Sequence, residues 1–257
     1  MKKIDLEQGT PEWLDFRRMR IGASDFPAII KKNPYGSPLE VYKSKVDPLY
    51  NTGVNLHMQR GIDNEAEARE IFESQMGVKY PALTVFKEDC DRFMASLDGY
   101  NEKYNEVVEI KIPSSANFDK YRHNPPEYYL YQVFWQLYVT GATTGYLFFY
   151  SPERKEGHIH TVNPNTKEVE AYLEKLHYFL ECIDAEKEPV KLMDLPLVVN
   201  NPILEETCQE YFRIKEQVAR LTMQLDELKG QIIASSYEEN VKAGKYLIKK
   251  SEIYRVD

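Results

Sequence analysis

The chain has 257 residues, 42% of them hydrophobic and 12% aromatic, and a net charge of −8. That composition can bury a sizeable core and excludes a disordered chain, and no apolar run of about 18 residues offers a membrane span. Cys90, Cys182 and Cys208 lie far apart with no C-x-x-C pair, which argues against a zinc site or a disulfide framework. The charge is uneven: residues 1–60 carry 10 Lys/Arg against 7 Asp/Glu, and residues 61–110 carry 5 against 12. An acidic middle beside a mildly basic start fits a cation site next to an anion-binding surface, and fits ordinary surface variation equally well. The N-terminal segment does not run into the apolar stretch of a signal peptide, so a cytoplasmic protein is expected.

In chain order, "TPEWLDFRRMR" (10–20) reads as a helix with Thr10 as N-cap and Pro11 at the first helical position. A short second helix, capped by Ser24, and a third over "SPLEVYKSKV" follow, and residues 47–60 read as loop. "GIDNEAEAREIFESQMG" (61–77) is a helix stopped by Gly77. "KYPALTVFKED" and "RFMASLDGY" read as strands, and a hairpin turning over Asn101–Asn105 leads into the strand "EVVEIKIP". "PEYYLYQVFWQLYVTG" is a dense apolar helix, and its aromatic residues read as core. Two strands follow, "TGYLFFYSPE" and "GHIHTVN", then one amphipathic helix over "NTKEVEAYLEKLHYFLECIDAEK". A Pro-containing connector leads to a long helix near 202–237 and a strand-like tail. The apolar stripe of that helix, Ile214 to Ile232, suits packing either on the body or between protomers. This order predicts an α/β fold, a mixed sheet flanked by helices.

The strand "EVVEIKIP" is anomalous. Side chains alternate along a strand, so Val108, Ile110 and Ile112 form a core face while Val107, Glu109 and Lys111 share the other. Asp98 on the preceding strand could lie beside them. A solvated face with a weak Glu–Lys pair would explain this pattern. So would a reaction centre: two carboxylates repel unless a cation sits between them, Mg²⁺ prefers carboxylate oxygens and water, and a lysine there could act on a water or on phosphoryl charge.

Other residues could join such a centre. Glu65 shares a helix stripe with Ala68 and Phe72, which makes it the best third ligand; a helix-start acid favoured by the dipole is the alternative. Glu70 and Glu73 read as solvated. Gln132 and Gln136, one turn apart in an apolar helix, need partners, and Gln132 either faces the site or bonds locally. Arg17 and Ser24 could form a phosphate pocket at a helix start, or serve as a surface ion pair and a plain cap. His158 and His160 share a strand face without an obvious third ligand, and read as an exposed strand.

Five segments in order, "WLDFR…IGASD", "RGIDNEAEAR", "SLDG", "EIK" and "YQVFWQLYVTG", resemble the lambda exonuclease/YqaJ-type viral recombinase family of the PD-(D/E)xK nuclease superfamily over residues 10–150. The resemblance implies a restriction-endonuclease-like fold, with residues 1–188 as the nuclease domain and 189–257 as a C-terminal helical extension with a strand-like tail. It implies metal ligation by Glu65, Asp98, Glu109 and the Ile110 carbonyl, Lys111 as catalytic lysine, and Gln132 as the helix glutamine. Arg17 and Ser24 match positions that hold the DNA 5′-phosphate. The implied activity is 5′-to-3′ digestion of linear duplex DNA with two Mg²⁺ ions, replaceable by Mn²⁺, leaving 3′ tails for a single-strand annealing protein. A homo-oligomer, a trimer in the family's best-known members, is implied too. Leu97 stands where the family often has Pro, and Phe134 where some members have a second Gln, with Gln136 a turn away, which leaves open whether Gln132 or Gln136 reaches the site. An endonuclease of the same superfamily and a non-catalytic DNA-binding scaffold are the competing functions.

Overall fold

The computed structural model describes residues 1–6, 9–47, 50, 56–193, 202–234, 240–249 and 252–255. The chain divides into two compact units, Met1–Leu195 and Pro196–Asp257.

In the first unit, strand β1 (Lys2–Ile4) precedes helices α1 (Pro11–Arg18), α2 (Phe26–Ile29) and α3 (Pro38–Val46). Thr10 Oγ1 caps α1, and α3 carries a full capping box between Ser37 and Glu40. Helix α4 (Leu56–Met76) starts earlier than the sequence suggested, so residues 56–60 are helix rather than loop. Side chains in that first turn tie it onward: Gln59 Nε2 donates to Asp63, and Arg60 pairs with Glu153. Gly77, at φ +70°, ends the helix.

Strands β2 (Leu83–Lys87) and β3 (Cys90–Leu97) join β1 in an antiparallel sheet, order β1-β2-β3. Strands β4 (Gly99–Asn101), β5 (Glu106–Lys111), β6 (Thr144–Ser151) and β7 (Glu156–Val162) form a second, mixed sheet. In it β5 and β6 are parallel and the outer pairs antiparallel. The strands thus form two sheets rather than one, and the chain passes from one to the other at Asp98. The next residue, Gly99, lies so close to Tyr80 and Val108 that a Cβ would come within 2.8 Å of both.

Helix α5 (Ser115–Tyr121) has no counterpart in the sequence reading, and α6 (Glu127–Thr140) lies where it was predicted. The helix expected over 165–187 is two, α7 (Thr166–Glu170) and α8 (Leu173–Asp184). Tyr172 breaks it at φ −108°, ψ 0°, where its ring meets Phe26 and Tyr131.

The two faces of β5 meet different helices. Val107, with Leu147 and Phe149 of β6, packs toward α6 around Trp135, which stacks on Phe26 and meets Phe93. Val108, Ile110 and Ile112 pack with Phe148 and Tyr150 against Ala68 and Phe72 of α4. Both faces are buried, so β5 is a central strand and not the half-solvated one that its charges allowed.

The second unit holds α9 (Pro202–Ala234) and an antiparallel sheet of β8 (Asn240–Ala243), β9 (Tyr246–Lys249) and β10 (Glu252–Arg255). The segment read as a strand-like tail, from residue 245 on, holds β9 and β10, β8 lies ahead of it, and the expected helix end at 235–237 lies outside the described residues. Among the described residues no helix is long and apolar enough to cross a membrane.

Candidate active site

Strand alternation aims Glu109 and Lys111 at the α6 side of the sheet. Glu109 is 7% exposed, in contact with Lys111 Nζ at 2.5 Å. The solvated-face explanation therefore fails: a carboxylate this buried needs compensation. Its second oxygen accepts from Gln136 Nε2. Asp98 approaches from the sheet junction, and its Oδ2 accepts the Ile110 N–H at 2.8 Å. Enclosure, then the Glu109 charge, push the Asp98 carboxyl well above its usual range, against the pull of Lys111. Enclosure acts to lower the Lys111 amine, but Glu109 and Asp98 outweigh it and raise its pKa, so it stays an ammonium. Its Nζ also lies 5.1 Å from the Tyr129 ring centre.

The facing wall comes from the N-terminal helices. Arg17 Nη2 donates to Ser24 Oγ at 2.6 Å and to Asp25 Oδ1 at 3.0 Å, and the guanidinium lies 5.2 Å from the Trp13 ring. Trp13 Nε1 donates in turn to Ser96 Oγ at 3.0 Å. Arg17 pairs with neither Glu12 nor Asp15; Arg18 reaches Asp15 instead. Ser24 is not the cap of α2. The N-cap position is Asp25, and Ser24 is left free to meet Arg17. Asp25 was missed in the sequence, although its position beside Ser24 was the available signal. It also accepts from Lys45 Nζ at 2.6 Å and from the Gly22 N–H at 2.9 Å. Burial would raise the Asp25 carboxyl; Lys45 and Arg17 outweigh it and hold it well below the usual range. Burial draws the Lys45 ammonium down to about 8 against the pull of Asp25, so both are charged at neutral pH.

These two walls enclose one cavity of about 170 Å³, lined by Arg17, Ser24, Asp98, Glu109, Lys111 and Gln132 among others. The phosphate candidates and the strand carboxylates thus face each other across a single space. The glutamines separate in role. Gln132 lines the cavity, its buried Oε1 lacking a hydrogen-bond partner, while Gln136 lies fully buried behind Glu109. The sequence left open which of the two reaches the site; Gln132 reaches the cavity and Gln136 reaches Glu109 from behind.

Glu65 is not brought into the cavity. It is half-buried and pairs with Arg69 one turn along α4. The reason is topological: α4 covers the face of β5 opposite to Glu109. Glu65 lies near enough only to add to the charge felt by Asp98. It sits in the third turn of α4, which removes the helix-start explanation. Among the described residues no three His, Cys, Asp or Glu side chains stand ready to hold a metal ion. The donor chemistry still fits a hard cation: two mutually repelling carboxylates and a buried amide oxygen on one cavity. Ile110 enters through its N–H, and its side chain is core. Glu73 is not solvated; it accepts from Tyr80 N–H at 2.7 Å and binds Lys79. His158 and His160 are half-buried, and His160 Nε2 contacts the Tyr121 carbonyl at 3.1 Å.

The family model for the YqaJ-like viral recombinase domain matches residues 12–143, just over half of the chain and every residue lining this cavity. The chain belongs to that family. Its fold is also similar to solved structures. An alkaline exonuclease from Laribacter hongkongensis superposes with a TM-score of 0.58 at 21% identity, over 71% of this chain and 96% of that one. The complex of that enzyme with dAMP gives the same values. A phage-related exonuclease from Haemophilus somnus gives 0.54 at 12% identity, over 65% of this chain and 94% of that one. At these identities the likeness is one of fold. No curated protein matches the chain.

Proposed function

We propose that this chain is a Mg²⁺-dependent exonuclease of the PD-(D/E)xK type that digests linear duplex DNA 5′-to-3′ and leaves 3′ tails for an annealing partner. One observation carries the reading: a guanidinium and hydroxyl suited to a terminal phosphate share a cavity with two buried carboxylates and a lysine. Family membership and the exonuclease fold of the structural neighbours support it.

Asp98 and Glu109 would hold the cation, with the Ile110 carbonyl as a further donor and Mn²⁺ as a substitute. A second ion would need Glu65, which would first have to leave Arg69. The bound ion would polarise the scissile phosphate and lower the pKa of a water. Lys111, kept charged by its carboxylate neighbours, hydrogen-bonds developing charge on the phosphoryl oxygens. Gln136 fixes the Glu109 carboxylate, and Arg17 with Ser24 holds the 5′-phosphate and sets the register of the next phosphodiester.

The test is digestion of linear 5′-phosphorylated, linear 5′-hydroxyl and closed circular duplex, each with Mg²⁺ or EDTA. Loss of the phosphorylated linear duplex alone, from its 5′ ends and only with Mg²⁺, is expected. Arg17→Ala should erase the preference for phosphate over hydroxyl. Cleavage of the circle would point to an endonuclease, and binding without hydrolysis to a scaffold.

A further inference from the structure

Helix α9 carries a pattern that the cavity does not use. Tyr211, Ile214, Val218, Leu221, Leu225 and Leu228 follow one another in alternating steps of three and four, and the steps continue without a slip to Thr207 and Ile232. These are the a and d positions of a heptad repeat, spanning about 39 Å of helix. None of them is charged. From Tyr211 to Leu228 each is between 48% and 65% exposed.

The width of the stripe identifies what covers it. A helix that packs on a globular body has a broad apolar face that includes e or g positions. Here those positions are Glu210, Lys215, Gln217, Thr222, Gln224 and Lys229, all polar. A narrow seam with a period of 3.5 stays on one line only against another helix that supercoils with it. Phe212 and Met223, also exposed, lie off the seam. A second copy of the chain supplies a helix with the matching repeat. In parallel copies Glu210, at g, faces Lys215, at the following e. Antiparallel copies in the register that matches a to d place Glu210 near Gln231 and gain no charge pair. Within one chain Glu210 holds Arg213 at 2.7 Å, on the flank away from the seam.

We propose that α9 pairs with α9 of a second copy as a parallel coiled coil. This rests on the second unit alone and stands or falls independently of the nuclease reading.

Sedimentation equilibrium of the full chain tests it. The wild type is expected at a multiple of its 30.1 kDa mass, and Leu221→Glu/Leu225→Glu at a lower mass. Thermal melting of the first unit should not change in that variant, which shows that the fold survives. Glu216→Lys, on the outer side of the helix, should leave the multiple intact. Leu221 lies at d, where parallel helices bring identical residues together. Leu221→Cys in a Cys208→Ser background should therefore cross-link between copies on mild oxidation. A single-copy wild type, or a mass unchanged by the double substitution together with no cross-link through Leu221→Cys, overturns the proposal. A multiple without the cross-link overturns the parallel arrangement.

Discussion

The Asp98 carboxylate takes the place of a missing strand: its Oδ2 accepts the Ile110 N–H at 2.8 Å. Strand β4 pairs with β5 only from Glu106 to Val108. Beyond that, β3 belongs to the other sheet, and the side chain at the junction completes the ladder. Asp98 therefore completes the β5 ladder as well as lining the cavity. Asp98→Asn keeps an acceptor for Ile110 and removes charge repulsion with Glu109, so its melting temperature should equal or exceed that of the wild type. Asp98→Ala orphans the N–H and should cost about 1–3 kcal/mol. Mg²⁺ should raise the melting temperature of the wild type and of neither variant. Differential scanning calorimetry with and without Mg²⁺ reads all three effects.

Lys111 and Glu109 should show strong non-additivity. Lys111→Met leaves Glu109 buried without its ion pair, at a cost of about 3 kcal/mol. Adding Glu109→Gln removes the stranded charge and should restore most of that stability. Activity should fall at least ~10²-fold in either single variant and not recover in the double. Urea melts and single-turnover assays, run as a double-mutant cycle, check both halves. Equal stability of the four proteins would mean that the pair is not buried as described.

The two glutamines should fail differently. Gln136→Leu withdraws the donor from a buried carboxylate oxygen, so it should cost about 1–3 kcal/mol and weaken Mg²⁺ binding. Gln132→Leu has no such bond to break. It should leave stability within about 0.5 kcal/mol and act on turnover alone. A melt beside a Mg²⁺ titration separates them, and identical losses of stability would contradict their assigned places.

Asp25 makes the first unit sensitive to acid. Its folded pKa lies below the unfolded value, so the folded state binds the proton less readily. Its stabilisation is fully present above about pH 4 and is lost as pH falls toward the folded value. Asp25→Asn should therefore destabilise the protein at pH 7, by about 3 kcal/mol because Lys45 stays buried without its anion. The gap between wild type and variant should narrow below pH 4. Urea denaturation from pH 7 down to pH 3 measures it; a constant gap would refute the shift.

Local pattern fixed what lies within a few residues. Period-two alternation put Glu109 and Lys111 on one face of β5, the turn over Asn101–Asn105 returned Asp98 toward them, and the heptad steps of α9 needed only the sequence. Cap chemistry likewise marked the start of α1. What the sequence could not carry was which element covers which face. Glu65 stood on the correct stripe of its helix, yet α4 packs on the far side of the sheet. The break at Tyr172 depends on rings more than thirty residues away, and the pairing of Arg17 with Asp25 rather than a neighbour depends on Lys45. Periodicity determines a side chain's direction relative to its own backbone. Only the packing of distant segments determines what stands in that direction, because that choice is made by the total burial of all the faces at once.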